Sequence, residues 1–112
     1  MPYALELFKG TGSVGDVFQK NGFNVVALDC ERKFAATITV DILRWDFAKA
    51  FPPRYFDYIW ASPPCTEYSQ ALQTRPRNIR KANQIVRRTL QIIQYFKPFF
   101  WFIENPGVFV AS

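Results

Sequence analysis

Ala4-Leu5-Glu6-Leu7-Phe8-Lys9-Gly10-Thr11-Gly12-Ser13-Val14-Gly15 is the stretch on which the reading of the fold turns. An apolar run over residues 4–8 stops at a glycine-rich turn. Residues 14–20 then continue with helical character until Asn21-Gly22, a C-cap signal. Gly10-x-Gly12-x-x-Gly15 therefore follows a strand and opens a helix. Glycines there let the main chain turn sharply and approach a ligand, while the helix N-terminus can hold a polar group. Asp29 lies 19 residues after Gly10, at the end of the next apolar run, where a carboxylate can accept both ribose hydroxyls. A plain strand-to-helix turn or a nicotinamide enzyme also carries this glycine pattern. With the acid in place, an adenosine-containing ligand is the better reading.

Outward from this unit the pattern repeats. Residues 24–28 form a β-branched run suited to a strand buried on both faces. Residues 37–40 are a weaker strand ending at Asp41, and residues 45–51 a short helix stopped by Pro52-Pro53. Residues 56–61 are apolar up to Ser62-Pro63-Pro64-Cys65, and residues 66–77 read as a polar loop. From 78 to 96, Ile79, Ala82, Ile85, Val86, Leu90, Ile93 and Phe96 recur at helical spacing. Pro98 ends that helix, and residues 99–103 form an intensely apolar strand leading into Glu104-Asn105-Pro106. Strands alternating with helices or crossovers predict an α/β fold: a Rossmann-like, doubly wound, mostly parallel sheet of five strands in the order 3-2-1-4-5.

Composition bounds the function. The 112 residues suit one domain, 1–112, and 49% hydrophobic with 18% aromatic residues supplies ample core material. No apolar run is long enough for a membrane span. The start MPYALELF lacks a signal-peptide layout, so the chain is expected to be soluble and intracellular. Two cysteines and no histidine speak against a zinc site and exclude a Cys-His dyad, so no metal is expected. Net charge is +5, yet residues 68–103 hold seven basic and no acidic residues, and the remainder is net −2. That concentration points to a polyanion such as DNA, with a solvated basic helix face as the alternative.

Two further motifs carry chemistry. In Ser62-Pro63-Pro64-Cys65-Thr66 the prolines remove two N–H groups and stiffen the exit from a strand, holding Cys65 where such sheets bind ligands. A small buried Cys is the plain alternative. Glu104 follows five apolar residues, which should hold it near the core and raise its pKa by burial. In the order 3-2-1-4-5 the glycine loop, Cys65 and Glu104 sit on three adjacent strand ends, about 4.8 Å apart per strand. They can surround one planar ring. A thiolate adding at C6 of cytosine, with an acid at N3, would make C5 nucleophilic enough to take a methyl group.

These residues together resemble the cytosine-5 DNA methyltransferases. Phe8-Lys9-Gly10-Thr11-Gly12-Ser13 is similar to the family's cofactor loop, Asp29 and Asp41-Ile42 to its ribose and adenine contacts, and Pro63-Pro64-Cys65 with Tyr68-Ser69 to its catalytic loop. Glu104-Asn105 resembles the glutamate motif. The resemblance covers nearly the whole sequence, in the family's order. It implies S-adenosylmethionine as cofactor, with Pro63 beside it, and DNA as substrate, with the target base flipped out. Cys65 would be the nucleophile and Glu104 the N3 partner. Thr66 stands where the family usually has Gln. The 112 residues correspond to the first half of a class I methyltransferase domain, without the later arginine motif, target-recognition region or C-terminal piece.

Ser69, Arg75, Arg77, Arg80 and Lys81, around and after the Cys65 loop, are expected to meet DNA. Amino-group methyltransferases also use Ser-Pro-Pro, but place an aromatic residue after it. The rival of another class is a catalytically silent remnant that binds nucleic acid or protein. Cys30 and Cys65, at the ends of strands two and four, should be free thiols. Residues 99–103 are expected to be an edge that recruits a second copy or a complementary chain, a fold-back of Val108-Phe109-Val110 being too short to cover much of it.

Overall fold

The computed structural model describes residues 2–9, 13–62, 76–105 and 108–111, with side chains described over 2–9, 14–62 and 83–104. Its sheet is ordered β3-β2-β1-β4-β5-β6. The strands are β1 (Tyr3–Leu7), β2 (Asn24–Asp29), β3 (Ile38–Thr39), β4 (Tyr58–Ala61), β5 (Phe100–Asn105) and β6 (Val108–Ala111). The first five are parallel in the expected order. The helices are α1 (Ser13–Lys20), the single turn α2 (Phe47–Ala50) and α3 (Pro76–Phe96).

Each element ends where its chemistry says it should. At the close of α1, Gly22 takes φ 87°. Gly22 N donates to Gln19 O and Phe23 N to Phe18 O, the paired bonds of a left-handed helix stop that glycine adopts without steric cost. α2 begins at Asp46, whose carboxylate accepts from Lys49 N.

Strand alternation divides the sheet into two unlike faces. Leu5, Leu7, Leu28, Ile59, Ala61 and Ile103 turn toward α3 and form one core with Ile92, Ile93, Phe96, Phe56, Trp45 and Ile42. On the other face α1 packs against β2 and β1, and its Phe18 meets Tyr58 of β4. Tyr58 stacks on Phe100 and Trp60 on Phe102, each pair with planes 14° apart.

The buried stripe of α3 differs from the expected one. Leu90 is 39% exposed, while Thr89 and Ile92 are fully buried. Thr89 hides its polarity by donating from Oγ1 to Ile85 O at 2.8 Å, so a hydroxyl-bearing residue occupies a core position. Arg88 likewise leaves the solvated face. Its Nε donates to Ile42 O at 3.1 Å, its Nη2 to Trp45 O at 2.6 Å, and its guanidinium lies 4.7 Å from the Phe47 ring centre. It ties α3 to the segment after β3.

The strand expected at residues 99–103 is not the sheet edge over its full length. β6 pairs antiparallel with β5 from Phe102↔Ala111 to Asn105↔Val108. A tight reversal needs no crossover, so a strand of four residues suffices to cover the carboxyl half of β5. Phe99, 78% exposed, and Phe100, 55% exposed, precede that covered part. Among the described residues no helix is long and apolar enough to cross a membrane.

Removing the Arg88 bonds should loosen α3 from the segment it anchors. Arg88→Ala should lower stability by roughly 2 kcal/mol, since hydrogen bonds to charged donors contribute about 1.5–3 kcal/mol each and part of that is recovered by water. Arg88→Lys, able to keep one bond, should fall between. Urea midpoints of the three proteins check this, and coincident midpoints would count against the anchor.

Candidate active site

Parallel register makes the strand ends level. Ile38, Leu28, Leu7, Ala61 and Ile103 lie in one row across β3, β2, β1, β4 and β5. One residue further on come Thr39, Asp29, Phe8, Ser62 and Glu104. Phe8, Asp29 and Glu104 therefore stand level at the carboxyl edge, with Lys9 and Asp41 just past it. That is where open parallel sheets bind ligands.

Phe8 turns the chain out of β1 with φ 63°, a left-handed conformation uncommon for a bulky residue and typical of places where function constrains the main chain. Lys9 is fastened at both ends: its N donates to Leu28 O at 3.0 Å and its Nζ to Phe34 O at 2.7 Å. Its ammonium thus braces the turn after β2. Asp29 is 9% exposed, and its Oδ1 accepts from Glu31 N at 2.9 Å. Asp41 is exposed, with Oδ1 accepting from Leu43 N at 2.9 Å. Ile42, two strands away from Phe8, is 3% exposed and lies in the core.

Glu104 departs from expectation. It is exposed, not buried, because alternation sends Ile103 into the core and Glu104 to the opposite face. Cys30 is a free, exposed thiol. Residual burial and the carboxylates of Asp29, Glu31 and Asp41 push its pKa up, which disfavours the reactive thiolate. Gly10, Thr11, Gly12, Pro63, Cys65, Ser69 and Arg75 lie outside the described residues. Ser13, Arg77, Arg80 and Lys81 are placed by main chain only, Ser13 opening α1 and the three basic residues in the first two turns of α3.

One residue at this edge was not singled out from the sequence. Glu6 sits in the middle of an otherwise apolar strand and is 3% exposed. Its Oε2 accepts from Gly15 N at 2.8 Å, meeting one of the N–H groups that the first turn of a helix leaves without an internal partner. Its Oε1 is buried with no hydrogen-bond partner among the described residues. Burial raises the Glu6 pKa above its ordinary value of 4.5; the Gly15 N–H and the Lys9 ammonium pull it down, and Asp16 pushes it up. A charged residue between Leu5 and Leu7 was the available signal. A polar cleft of about 180 Å³ lined by Glu6, Lys9, Gly15, Asp16, Gln19 and Thr37, among others, opens beside it.

The sequence of C-5 cytosine-specific DNA methylases, as a family model, matches residues 3–112. The chain is 33% identical over 115 residues to a probable DNA (cytosine-5)-methyltransferase of Frog virus 3 (isolate Goorha). That alignment covers 91% of this chain and 52% of the viral protein. Among solved structures, the PH0226 protein from Pyrococcus horikoshii OT3 superimposes with a TM-score of 0.56 at 14% identity, over 92% of this chain and 48% of that one. The latter likeness is one of fold. The chain spans about half the length of both.

The raised pKa of Glu6 fixes the sign of a pH effect. Below 4.5 Glu6 is protonated in both folded and unfolded states. As the pH rises past that value the unfolded chain ionises first, so stability contributed by the neutral, buried form is lost until the folded group ionises too. Glu6→Gln cannot lose a proton. It should gain stability relative to the parent as pH climbs from about 4 toward 8. Denaturant midpoints measured across that range test it, and parallel curves would refute the shift.

Proposed function

Because this chain belongs to the C-5 cytosine-specific DNA methylases, we propose that it takes part in methyl transfer from S-adenosylmethionine to C5 of cytosine in DNA, as a partial enzyme or as one subunit. The observation that carries this reading is the level register of β1, β4 and β5. It levels Phe8, which leads into the glycine-rich sequence, with Ser62, which precedes Pro63-Pro64-Cys65, and with Glu104.

The cofactor suits the groups present. S-adenosylmethionine offers ribose hydroxyls and an adenine amine as donors, and Asp29 and Asp41 offer carboxylate acceptors at neighbouring strand ends. When bound, the cofactor supplies an electrophilic methyl group. The nearly buried Asp29 would hold the ribose, and the unusual turn at Phe8 would bring the Gly10–Gly15 main chain close to it.

Chemistry on the base falls to Cys65 and Glu104. The Cys65 thiolate would add to C6 of the flipped cytosine while Glu104 hydrogen-bonds N3. Electron density displaced from C6 would collect at C5, which would bond to the methyl carbon as the sulfonium–methyl bond breaks and its electron pair returns to sulfur. Loss of the C5 proton and expulsion of the thiolate then restore the aromatic ring. With no histidine in the chain and Cys30 held among carboxylates, Cys65 is the cysteine suited to this role. The exposure of Glu104 means that the bound base itself would have to supply the water-excluded surroundings its role calls for.

DNA carrying 5-fluorocytosine blocks the final proton loss and should trap the chain as a covalent adduct visible by intact mass in the presence of S-adenosylmethionine. Cys65→Ser should abolish the adduct, and Glu104→Gln should slow its formation by about 10²-fold or more, in the usual range for general acid catalysis. A chain that binds DNA without forming adduct would instead be a silent binding module. Separately, replacing Arg77 and Arg80 by Ala should weaken binding to every sequence alike and reduce the salt slope by roughly 1.8, two phosphate contacts' worth. An unchanged slope would make these residues a solvated helix face.

A further inference from the structure

Asp41 lies on a stretch that is neither strand nor helix, so its carboxylate must be aimed by other means. Val40 N, donating to Asp29 O at 3.0 Å, still ties the chain to the sheet. Beyond it the chain turns on itself: Asp41 O accepts from Arg44 N and Trp45 N, and Asp41 Oδ1 from Leu43 N. These bonds orient the carboxylate within the turn but do not orient the turn within the molecule. Ile42 and Trp45 seat it in the core by their side chains, and apolar packing is non-directional. The directional bonds come from Arg88, in the middle of α3. Its Nε donates to Ile42 O and its Nη2 to Trp45 O, so one planar group with donors in fixed geometry spans the turn. Two turns further along α3, Tyr95 Oη shares its proton between Ala48 O at 3.2 Å and Phe51 O at 2.9 Å. α3 thus grips the connection from β3 to β4 at two places, and Arg88 has the end next to Asp41.

We propose that Arg88 is a positioning residue for adenine recognition: by holding the carbonyls of Ile42 and Trp45 it fixes the aim of the Asp41 carboxylate. This rests on the cofactor reading given above. Arg88 acts through Asp41, its own donors being spent on the two carbonyls and its guanidinium lying over the Phe47 ring. The consequence is selectivity for the base of the nucleoside. Adenine presents an amine where hypoxanthine presents a carbonyl oxygen, and a carboxylate only accepts hydrogen bonds. A well-aimed Asp41 therefore favours the first and repels the second.

Titration calorimetry on the full chain with S-adenosylhomocysteine and with S-inosylhomocysteine tests this through the ratio of the two affinities. The parent should prefer the adenosine compound at least tenfold, as one charge-assisted hydrogen bond allows. Asp41→Asn, whose amide can turn either a donor or an acceptor outward, should bring the ratio close to one. Arg88→Ala should bring it within about threefold of one, and Arg88→Lys, able to keep one bond, should fall between. Tyr95→Phe removes the other grip of α3, at the α2 end of the connection, and should lose stability while keeping the parent's ratio. A folded Arg88→Ala with the parent's ratio overturns the proposal and leaves Arg88 a structural tie. So does a ratio that falls equally in Tyr95→Phe, since selectivity would then follow stability. Should Arg88→Ala not fold, Arg88→Lys decides, and a ratio equal to the parent's counts against the proposal. A parent that binds both compounds alike removes Asp41 from adenine recognition, and this inference with it, but leaves cofactor binding standing. Binding of neither compound overturns the cofactor reading itself.

Discussion

Everything at the candidate site depends on the in-step parallel pairing of β1 with β2 on one side and β4 on the other. Because Leu7 is level with both Leu28 and Ala61, a slip of one residue would turn Leu5, Leu7, Ile59 and Ala61 out of the core. The same register that buries these side chains against Ile92 and Phe96 also aligns Phe8, Asp29 and Ser62. Packing on one face of the sheet and placement of chemistry on its edge are thus one constraint. α3 enforces it from below, and Arg88 extends the enforcement to the segment carrying Asp41 and Ile42.

The two faces meet different demands. Beneath the sheet, aromatic rings from α2, the Phe51–Phe56 stretch and α3 pack edge to face, as Phe56 does with Phe96 at 4.9 Å, the arrangement their quadrupoles favour. Above it, a carboxylate is buried in the middle of β1 where an aliphatic side chain would be less costly. A residue that lowers stability and touches the first turn of a helix is best understood through what that helix holds, and sites of this sort commonly trade stability for placement.

The order of the five parallel strands was legible because apolar runs of four to six residues, each closed by Gly, Pro or Asp, alternated with helical stretches. The edge position of the candidate residues followed from that order. What escaped the sequence was the use to which individual polar groups are put. Arg88 belonged to the basic segment and Thr89 lay outside the expected stripe, yet both bond main-chain carbonyls on the inner side. Leu90 was assigned to the buried stripe and lies outside it, since 3.6-residue periodicity admits neighbouring choices of stripe and only the partner surface selects one. Val108-Phe109-Val110 was judged too short a fold-back to cover the edge, yet a strand made by reversal needs no long signal and pairs with the carboxyl half of β5. Glu104 was expected inside because apolar residues precede it, although a strand sends every second residue to the other face.

The contact between Glu6 and Gly15 also limits how this sequence can drift. While position 6 carries Glu, position 15 cannot acquire even a methyl group without displacing a buried carboxylate. Shortening Glu6 to Asp would withdraw the carboxylate by about one carbon–carbon bond, roughly 1.5 Å, and would make room for Ala at position 15. The two sites are coupled, the length of the strand residue setting how readily the helix residue can gain a side chain, and so how readily α1 can start on a better helix former.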